Sequence, residues 1–135
     1  MERYTHLMVN GFLKEPPKEL SIIKSWLFNL VEEINKEIKE IQIKITADPT
    51  ISYVDKDSSK DITAICIIDT GYIAMRIWEK EENVFSLHFD IHISSPLPAS
   101  VVVYSIAENL GMYDGIRMLV DRGDDFKVLE YTSYP

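Results

Sequence analysis

The chain has 135 residues, with 22 acidic and 14 basic side chains and a formal net charge of −8 at pH 7. This acidic balance argues against binding the phosphate backbone of nucleic acids, which depends on Lys and Arg. The single cysteine excludes a disulfide within the chain, and no apolar run reaches the ~18 residues expected of a membrane span.

The N-terminal segment carries polar and charged residues where a signal peptide has its apolar core. We therefore expect a cytoplasmic protein with neither nucleic acid nor a membrane as its partner. The length and the ordinary composition predict a single domain over residues 1–135.

The first half of the chain predicts one long helix among short strands. "YTHLMVNGFL" reads as a strand, and Pro16-Pro17 then opens a helix from about Lys18 to Ile41, whose apolar residues recur at steps of three and four. The segments "IQIKITA" and "TISYVDK" follow as strands, then the polar loop "DKDSSKD". "ITAICIID" is nearly all apolar, as in a strand inside a sheet.

The second half predicts a pair of strands, a helix and a last hairpin. Thr70-Gly71 forms a turn into "YIAMRIW", and "VFSLHFDIHIS" pairs back after a charged tip. Ser95 is the expected N-cap of the helix "ASVVVYSIAENL", which stops at Gly111. Its run "SVVVY" would also suit a strand, but the flanking Pro and Gly favour a helix. "GIRMLVDRG" and "FKVLEYTS" complete the hairpin.

This element order predicts an α+β fold. We expect a two-layer α/β sandwich with a mostly antiparallel sheet and the helices on one of its faces.

The strand "FSLHFDIHIS" places three titratable residues on one face, and these are the candidate catalytic residues: His88, Asp90 and His92. At ~3.3 Å per residue, His88 and His92 lie ~13 Å apart, too far to share one metal ion at ~2.0–2.1 Å ligand distances. We therefore assign no metal site and favour a polar face held by hydrogen bonds between His and Asp. Ser94, His92 and Asp90 merely line up, and nothing in their spacing indicates a nucleophilic relay.

Two residues of "YIAMRIW" are candidate ligand-binding groups. The guanidinium of Arg76 could clamp an anion, although an Arg at a sheet surface more often pairs with Asp or Glu. Trp78 ends the strand and could stack on a group at the rim of the sheet.

The order of elements resembles the small bacterial and archaeal S-adenosylmethionine decarboxylases, the pyruvoyl enzymes of polyamine synthesis. The matching pieces are His6-Leu7 in the first strand, "ITAICIIDTGYIAMRIW", "FDIHISSP" and Arg122-Gly123 at the end of a late strand. Together they span most of residues 4–123.

The resemblance implies a scaffold without the family's reaction. Those enzymes cut their own chain at a Glu-Ser pair, and the serine becomes the pyruvoyl group. Aligned on Trp78, that pair falls on Thr70-Gly71, the proton-donating histidine on Arg76 and the catalytic cysteine on Ser94. We therefore expect no pyruvoyl cofactor, and Ser94 becomes a candidate binding residue. A shift by one residue would place Asp69-Thr70 at the cut, an acid–hydroxyl pair.

Three functions stay open on the sequence. The first is a non-catalytic homologue, either a homodimer paired through its sheet faces, as the resemblance implies, or a subunit that regulates an active decarboxylase paralogue. The second is an enzyme of altered chemistry that uses the His88/Asp90/His92 face on a small anionic or polyamine-related substrate. The third is that the resemblance is false and the face is the interaction surface of another α+β dimer.

Overall fold

The protein consists of a seven-stranded sheet and two helices in the part of the chain that the computed structural model describes, residues 4–40, 42–56, 59–123 and 125–135. The elements in chain order are β1 Thr5–Leu13, α1 Leu20–Glu37, β2 Thr50–Lys56, β3 Ser59–Ile68, β4 Gly71–Glu81, β5 Val84–Ile93, α2 Ala99–Leu110, β6 Met112–Asp121 and β7 Lys127–Tyr134.

The strands lie in the order β2-β3-β4-β5-β1-β6-β7, and each neighbouring pair is antiparallel. The first strand of the chain is inserted between β5 and β6 near the middle of the sheet. The predicted antiparallel sheet with two helices is thereby confirmed. Among the described residues, neither helix has the length and apolar character needed to cross a membrane.

Helix α1 buries one stripe of its surface. The buried positions follow the predicted spacing of three and four residues, and they are Ile23, Trp26, Leu27, Leu30, Val31 and Ile34. The helix is shorter than the predicted Lys18–Ile41 at both ends, and position 41 lies outside the described residues. The Trp26 ring meets Phe89 of β5 edge to face at 5.8 Å, and its Nε1–H donates to Ser105 Oγ of α2 at 3.0 Å. Trp26 therefore connects both helices to the sheet.

Helix α2 has the predicted bounds and ends at Gly111, which adopts φ +75° and donates its N–H to Ala107. Left-handed backbone at this position is why glycine stops the helix. The prediction that Ser95 caps the helix is wrong. The N-cap position is Pro98, and Ser95 lies upstream, 1% exposed, with an Oγ that finds no partner among the described residues.

The predicted strand "IQIKITA" is also wrong over residues 42–47, which contribute only the isolated bridge Ile45–Ile68. Its backbone groups are bonded elsewhere: Asn35 on α1 pairs with both the N–H and the C=O of Ile43, and Asp69 does the same with Lys44. Side chains and a neighbouring turn thus satisfy the segment in place of a strand ladder.

The predicted polar loop "DKDSSKD" is mostly strand. β2 continues to Lys56 and β3 begins at Ser59, while positions 57 and 58 lie outside the described residues.

Candidate functional site

Strand β5 has one apolar and one polar face, as its alternation predicts. Phe85, Leu87, Phe89, Ile91 and Ile93 are at most 6% exposed and belong to the hydrophobic core. The opposite side carries Ser86, His88, Asp90 and His92, of which Ser86 is buried and His88 exposed. We call this side of the sheet the polar face.

Strands β1 and β4 flank β5 and bring further side chains to the polar face. His6 and Tyr72 both lie opposite His92, whereas Asn10 and Arg76 lie opposite His88. The polar face therefore holds two separate clusters, one around His92 and one around His88.

The first cluster is a chain of hydrogen bonds through His6. Arg122 Nη1 donates to His6 Nδ1 at 3.2 Å, and His6 Nε2 lies 3.0 Å from Asp90 Oδ1. A guanidinium can only donate, so Nδ1 is the acceptor and Nε2 carries the proton that Asp90 receives. This arrangement fixes His6 as the neutral Nε2–H tautomer, and both of its ring nitrogens are engaged.

Two more rings complete the first cluster. The His92 ring lies 5.7 Å from the His6 ring and 5.7 Å from the Tyr72 ring, and His6 and Tyr72 are 6.3 Å apart, measured between ring centroids. Burial lowers the pKa of His92, and the positive charge of Arg122 lowers it further, while Asp90 opposes them. The neutral imidazole of His92 can act as a base or as a hydrogen-bond acceptor.

The second cluster centres on Arg76, which pairs with Asp61 of β3. Arg76 Nε and Nη2 donate to the two oxygens of Asp61 at 3.2 and 2.9 Å, and this pairing holds the pKa of Asp61 below its usual value. The guanidinium also lies 4.6 Å from the ring centre of Trp78, which in turn meets His88 edge to face at 4.7 Å. Burial and the charge of Arg76 lower the pKa of His88. The forked face of Arg76 is therefore already occupied by a carboxylate.

A shallow groove runs along the polar face beside His88. It consists of two depressions of about 330 and 420 Å³, which share Asn10, His88 and Ile116 in their linings. Asp114 lines one and Asp90 the other. Each volume lies near the lower end of small-molecule sites.

The turn between β3 and β4 lies at the edge of the first cluster. Ser94 Oγ donates to the carbonyl of Thr70 at 3.3 Å, while the buried Thr70 Oγ1 has no partner among the described residues. Gly71 packs so closely on β5 that a Cβ built on it would lie 1.8 Å from the carbonyl oxygen of His92. Only glycine fits that position with this backbone.

The candidate residues from the sequence are thus divided. Asp90 and His92 belong to the first cluster, Arg76, Trp78 and His88 to the second, and Ser94 to the turn. The hydrogen bond of Asp90 goes to His6, not to a histidine of its own strand. In the described part of the chain, no group of three or more His, Cys, Asp or Glu side chains could hold a metal ion.

Sequence reasoning missed His6, Tyr72 and Arg122 as site residues. Each lies on a different strand or strand end, up to 116 residues apart in the chain. Alternation along each strand could have shown which face His6 and Tyr72 occupy. Only the pairing of the strands places them beside His92.

Comparison with known proteins supports the fold. The chain matches no protein-family model. No curated protein sequence matches it either. Among solved structures, the adenosylmethionine decarboxylase from Aquifex aeolicus VF5 is similar, with a TM-score of 0.57 and 13% sequence identity over 90% of this chain and 92% of that one. At this identity the likeness establishes an adenosylmethionine decarboxylase-like fold and leaves the activity to be argued from the site.

Proposed function

We propose that this chain is a non-catalytic S-adenosylmethionine decarboxylase-like protein that works by binding a partner. The fold likeness supports the scaffold. We infer that the helices cover the apolar face of the sheet and leave the polar face for the partner. Pyruvoyl chemistry depends on a ketone that serves as an electron sink, a role that ordinary side chains cannot fill.

One feature carries the proposal: on the Trp78 alignment that the resemblance implies, glycine occupies the position of the cleavage serine. Gly71 has no hydroxyl to attack the preceding carbonyl, and without a Cβ it cannot undergo the elimination that leaves a ketone at Cα. A Cβ at this position would lie 1.8 Å from the His92 carbonyl oxygen, which also leaves no room for serine. The chain's residues therefore do not fit a pyruvoyl group at Gly71.

The remaining aligned positions support the same proposal. Arg76, at the aligned place of the proton-donating histidine, is paired with Asp61. Ser94, at the place of the cysteine, donates to a backbone carbonyl.

For the partner, we propose a second copy of the chain, paired sheet face to sheet face as the resemblance implies. Apolar side chains stand exposed on both flanks of the polar face: Ile65 at 48%, Ile67 at 53% and Ile116 at 43%. Burying such side chains would drive association. An active decarboxylase paralogue is the alternative partner, and a cytoplasmic location stays a prediction.

The deciding experiment is the mass of the purified protein. We expect one polypeptide with the mass of the whole chain. Two fragments, the second beginning with a keto acid derived from Thr70 or residue 71, would refute the proposal.

The partner is tested by the molar mass in solution. Light scattering should give a dimer, and Ile67→Lys should dissociate it because a charge would be buried without a counter-charge. Tyr104→Lys is the matched control, since Tyr104 is 62% exposed on helix α2, away from the polar face. A monomeric wild type would favour the paralogue, tested by adding the chain to an active decarboxylase.

A second candidate is an enzyme of altered chemistry acting on a small anionic or polyamine-related substrate. The groove beside His88 favours it, because the groove combines a neutral imidazole with the carboxylates of Asp90 and Asp114. His88→Gln and His92→Gln should then each abolish turnover or ligand binding. Unchanged binding in both variants would eliminate this candidate.

A further inference from the structure

We propose that Arg122, Tyr72 and His92 form a binding site for the oxyanion group of a small carboxylate or phosphate ligand. The inference rests on the proposed binding role of the polar face and assigns its ligand chemistry. It also places the anion-binding arginine at the end of β6, not at Arg76 of β4.

The partners of the two arginines separate their roles. Arg76 gives two hydrogen bonds to the carboxylate of Asp61. The guanidinium of Arg122 gives one hydrogen bond to the neutral ring of His6 and lies 5.2 Å from the ring centre of Phe126. In the part of the chain that the structure describes, neither of these partners is an anion. A guanidinium has five N–H donors in a fork that matches carboxylate and phosphate oxygens, so Arg122 keeps donors for a ligand.

The ring cluster places two further groups beside this guanidinium. His6, which Arg122 contacts, lies 5.7 Å from His92 and 6.3 Å from Tyr72 between ring centroids. Tyr72 brings a hydroxyl, and His92 a ring N–H, to the same side of the sheet. Groups that can donate to an anion, from three separate segments, therefore surround the His6 ring.

The local electrostatics favour an anion although the chain as a whole is negative. Asp90, the nearest acidic side chain in this cluster, already receives the His6 Nε2–H. Burial lowers the pKa of His92, and the positive charge of Arg122 lowers it further against the opposing effect of Asp90. An anion bound beside His92 would raise its pKa and so favour the protonated ring.

The test is an NMR titration of the three histidine rings in the 135-residue chain. The probes are inorganic phosphate and, in a separate arm, acetate, each at constant ionic strength. We expect saturable shifts of the His6 and His92 ring resonances and none at His88, which lies ~13 Å along the strand from His92. The arm that saturates identifies a phosphate or a carboxylate ligand, and saturation in both indicates general oxyanion recognition.

Variants separate a binding site from non-specific screening. Arg122→Gln should weaken binding at least ~10-fold, as expected for loss of a charged hydrogen bond. Arg122→Lys, which keeps the charge but loses the fork, should lie between wild type and Arg122→Gln. Tyr72→Phe leaves every charge in place and should weaken binding ~3- to 10-fold. Arg76→Gln is the matched control and should leave the affinity unchanged.

Three results would overturn the inference: no saturable shift with either anion, equal shifts of all three histidines, or full affinity in both Arg122→Gln and Tyr72→Phe. The mass and light-scattering experiments are independent of this titration. An intact dimer without anion binding would remove the site and leave the proposed function standing.

Discussion

Adding a single methyl group at Gly71 should severely destabilise the protein. In Gly71→Ala the new Cβ would lie 1.8 Å from the His92 carbonyl oxygen, 2.8 Å from its carbon and 3.3 Å from Ile93 Cα. Contacts under 3.0 Å do not occur for real Cβ atoms, so β4 and β5 must separate locally by about 1.2 Å, the difference between 3.0 and 1.8 Å. All three obstructing atoms are backbone and cannot rotate away.

The expected loss is about 3 kcal/mol or more in the free energy of unfolding. Overpacking in a rigid environment costs about 1–3 kcal/mol, and the separation would also weaken hydrogen bonds at the start of the β4–β5 ladder. The loss comes from space alone, because the backbone of Gly71 does not lie in the left-handed region. Gly71→Ser should behave alike and should not cleave.

Urea denaturation compared across three glycines measures this effect. A Cβ at Gly123 would have its nearest neighbour at 3.6 Å, so Gly123→Ala should change stability by less than about 0.5 kcal/mol. Gly111→Ala should cost about 1 kcal/mol, since the space is open but φ is +75°. If Gly71→Ala proved no more harmful than Gly111→Ala, the close approach of β4 to β5 would be refuted, and with it the steric argument against a cleavable residue.

Three further predictions concern groups away from that turn. Arg76→Gln should raise the pKa of His88, because burial and the charge of Arg76 together hold that pKa below 6.5. An NMR titration measures the midpoint, and an unchanged midpoint would show that Arg76 does not lower the pKa. Since folding favours neutral His88, the stability it contributes is present above about pH 6.5 and lost as the pH falls through the lowered folded pKa. Trp26→Phe should lower the free energy of unfolding by about 1–3 kcal/mol, because the buried hydrogen bond to Ser105 is lost. The double variant Trp26→Phe/Ser105→Ala should lose less than the sum of the two single variants. A loss equal to that sum would show that the two side chains are not coupled. Cys66, fully buried with its pKa raised by burial, should resist iodoacetamide in the folded protein and react in denaturant, and rapid labelling of the native chain, detected by mass, would disprove its burial.

Local periodicity predicted much of this fold because the burial of α1, α2 and β5 follows their own side-chain repeats. In β5 the period of two separates core from polar residues, and in α1 the steps of three and four mark the buried stripe. The β-branched residues of α2 would also suit a strand, and Gly111 favoured the helix because its left-handed backbone ends that helix.

Periodicity failed where side chains from elsewhere bond the backbone. "IQIKITA" alternates well, but Asn35 takes up both polar backbone groups of Ile43. Asn35 lies on α1 only eight residues before Ile43, so its amide competes locally with a strand ladder for the same backbone groups.

The sequence predicted only part of the candidate site, for a related reason. His88, Asp90 and His92 share a strand, so their common face follows from alternation. His6 and Asp90 are 84 residues apart and meet only because β1 is inserted between β5 and β6. No local pattern fixes that pairing.

The same limit explains why the anion-binding role moves from Arg76 to Arg122. In the sequence both arginines lie in a strand or at its end, and Arg76 shares its strand with Trp78, the other candidate ligand-binding residue. The sheet places Asp61 within reach of Arg76, and the Asp61 carboxylate neutralises the guanidinium charge that would otherwise attract an anion. It places a neutral imidazole against Arg122, which positions the guanidinium without neutralising its charge. What distinguishes a binding arginine from a structural one here is therefore the charge of its neighbour, which depends on which strands are adjacent.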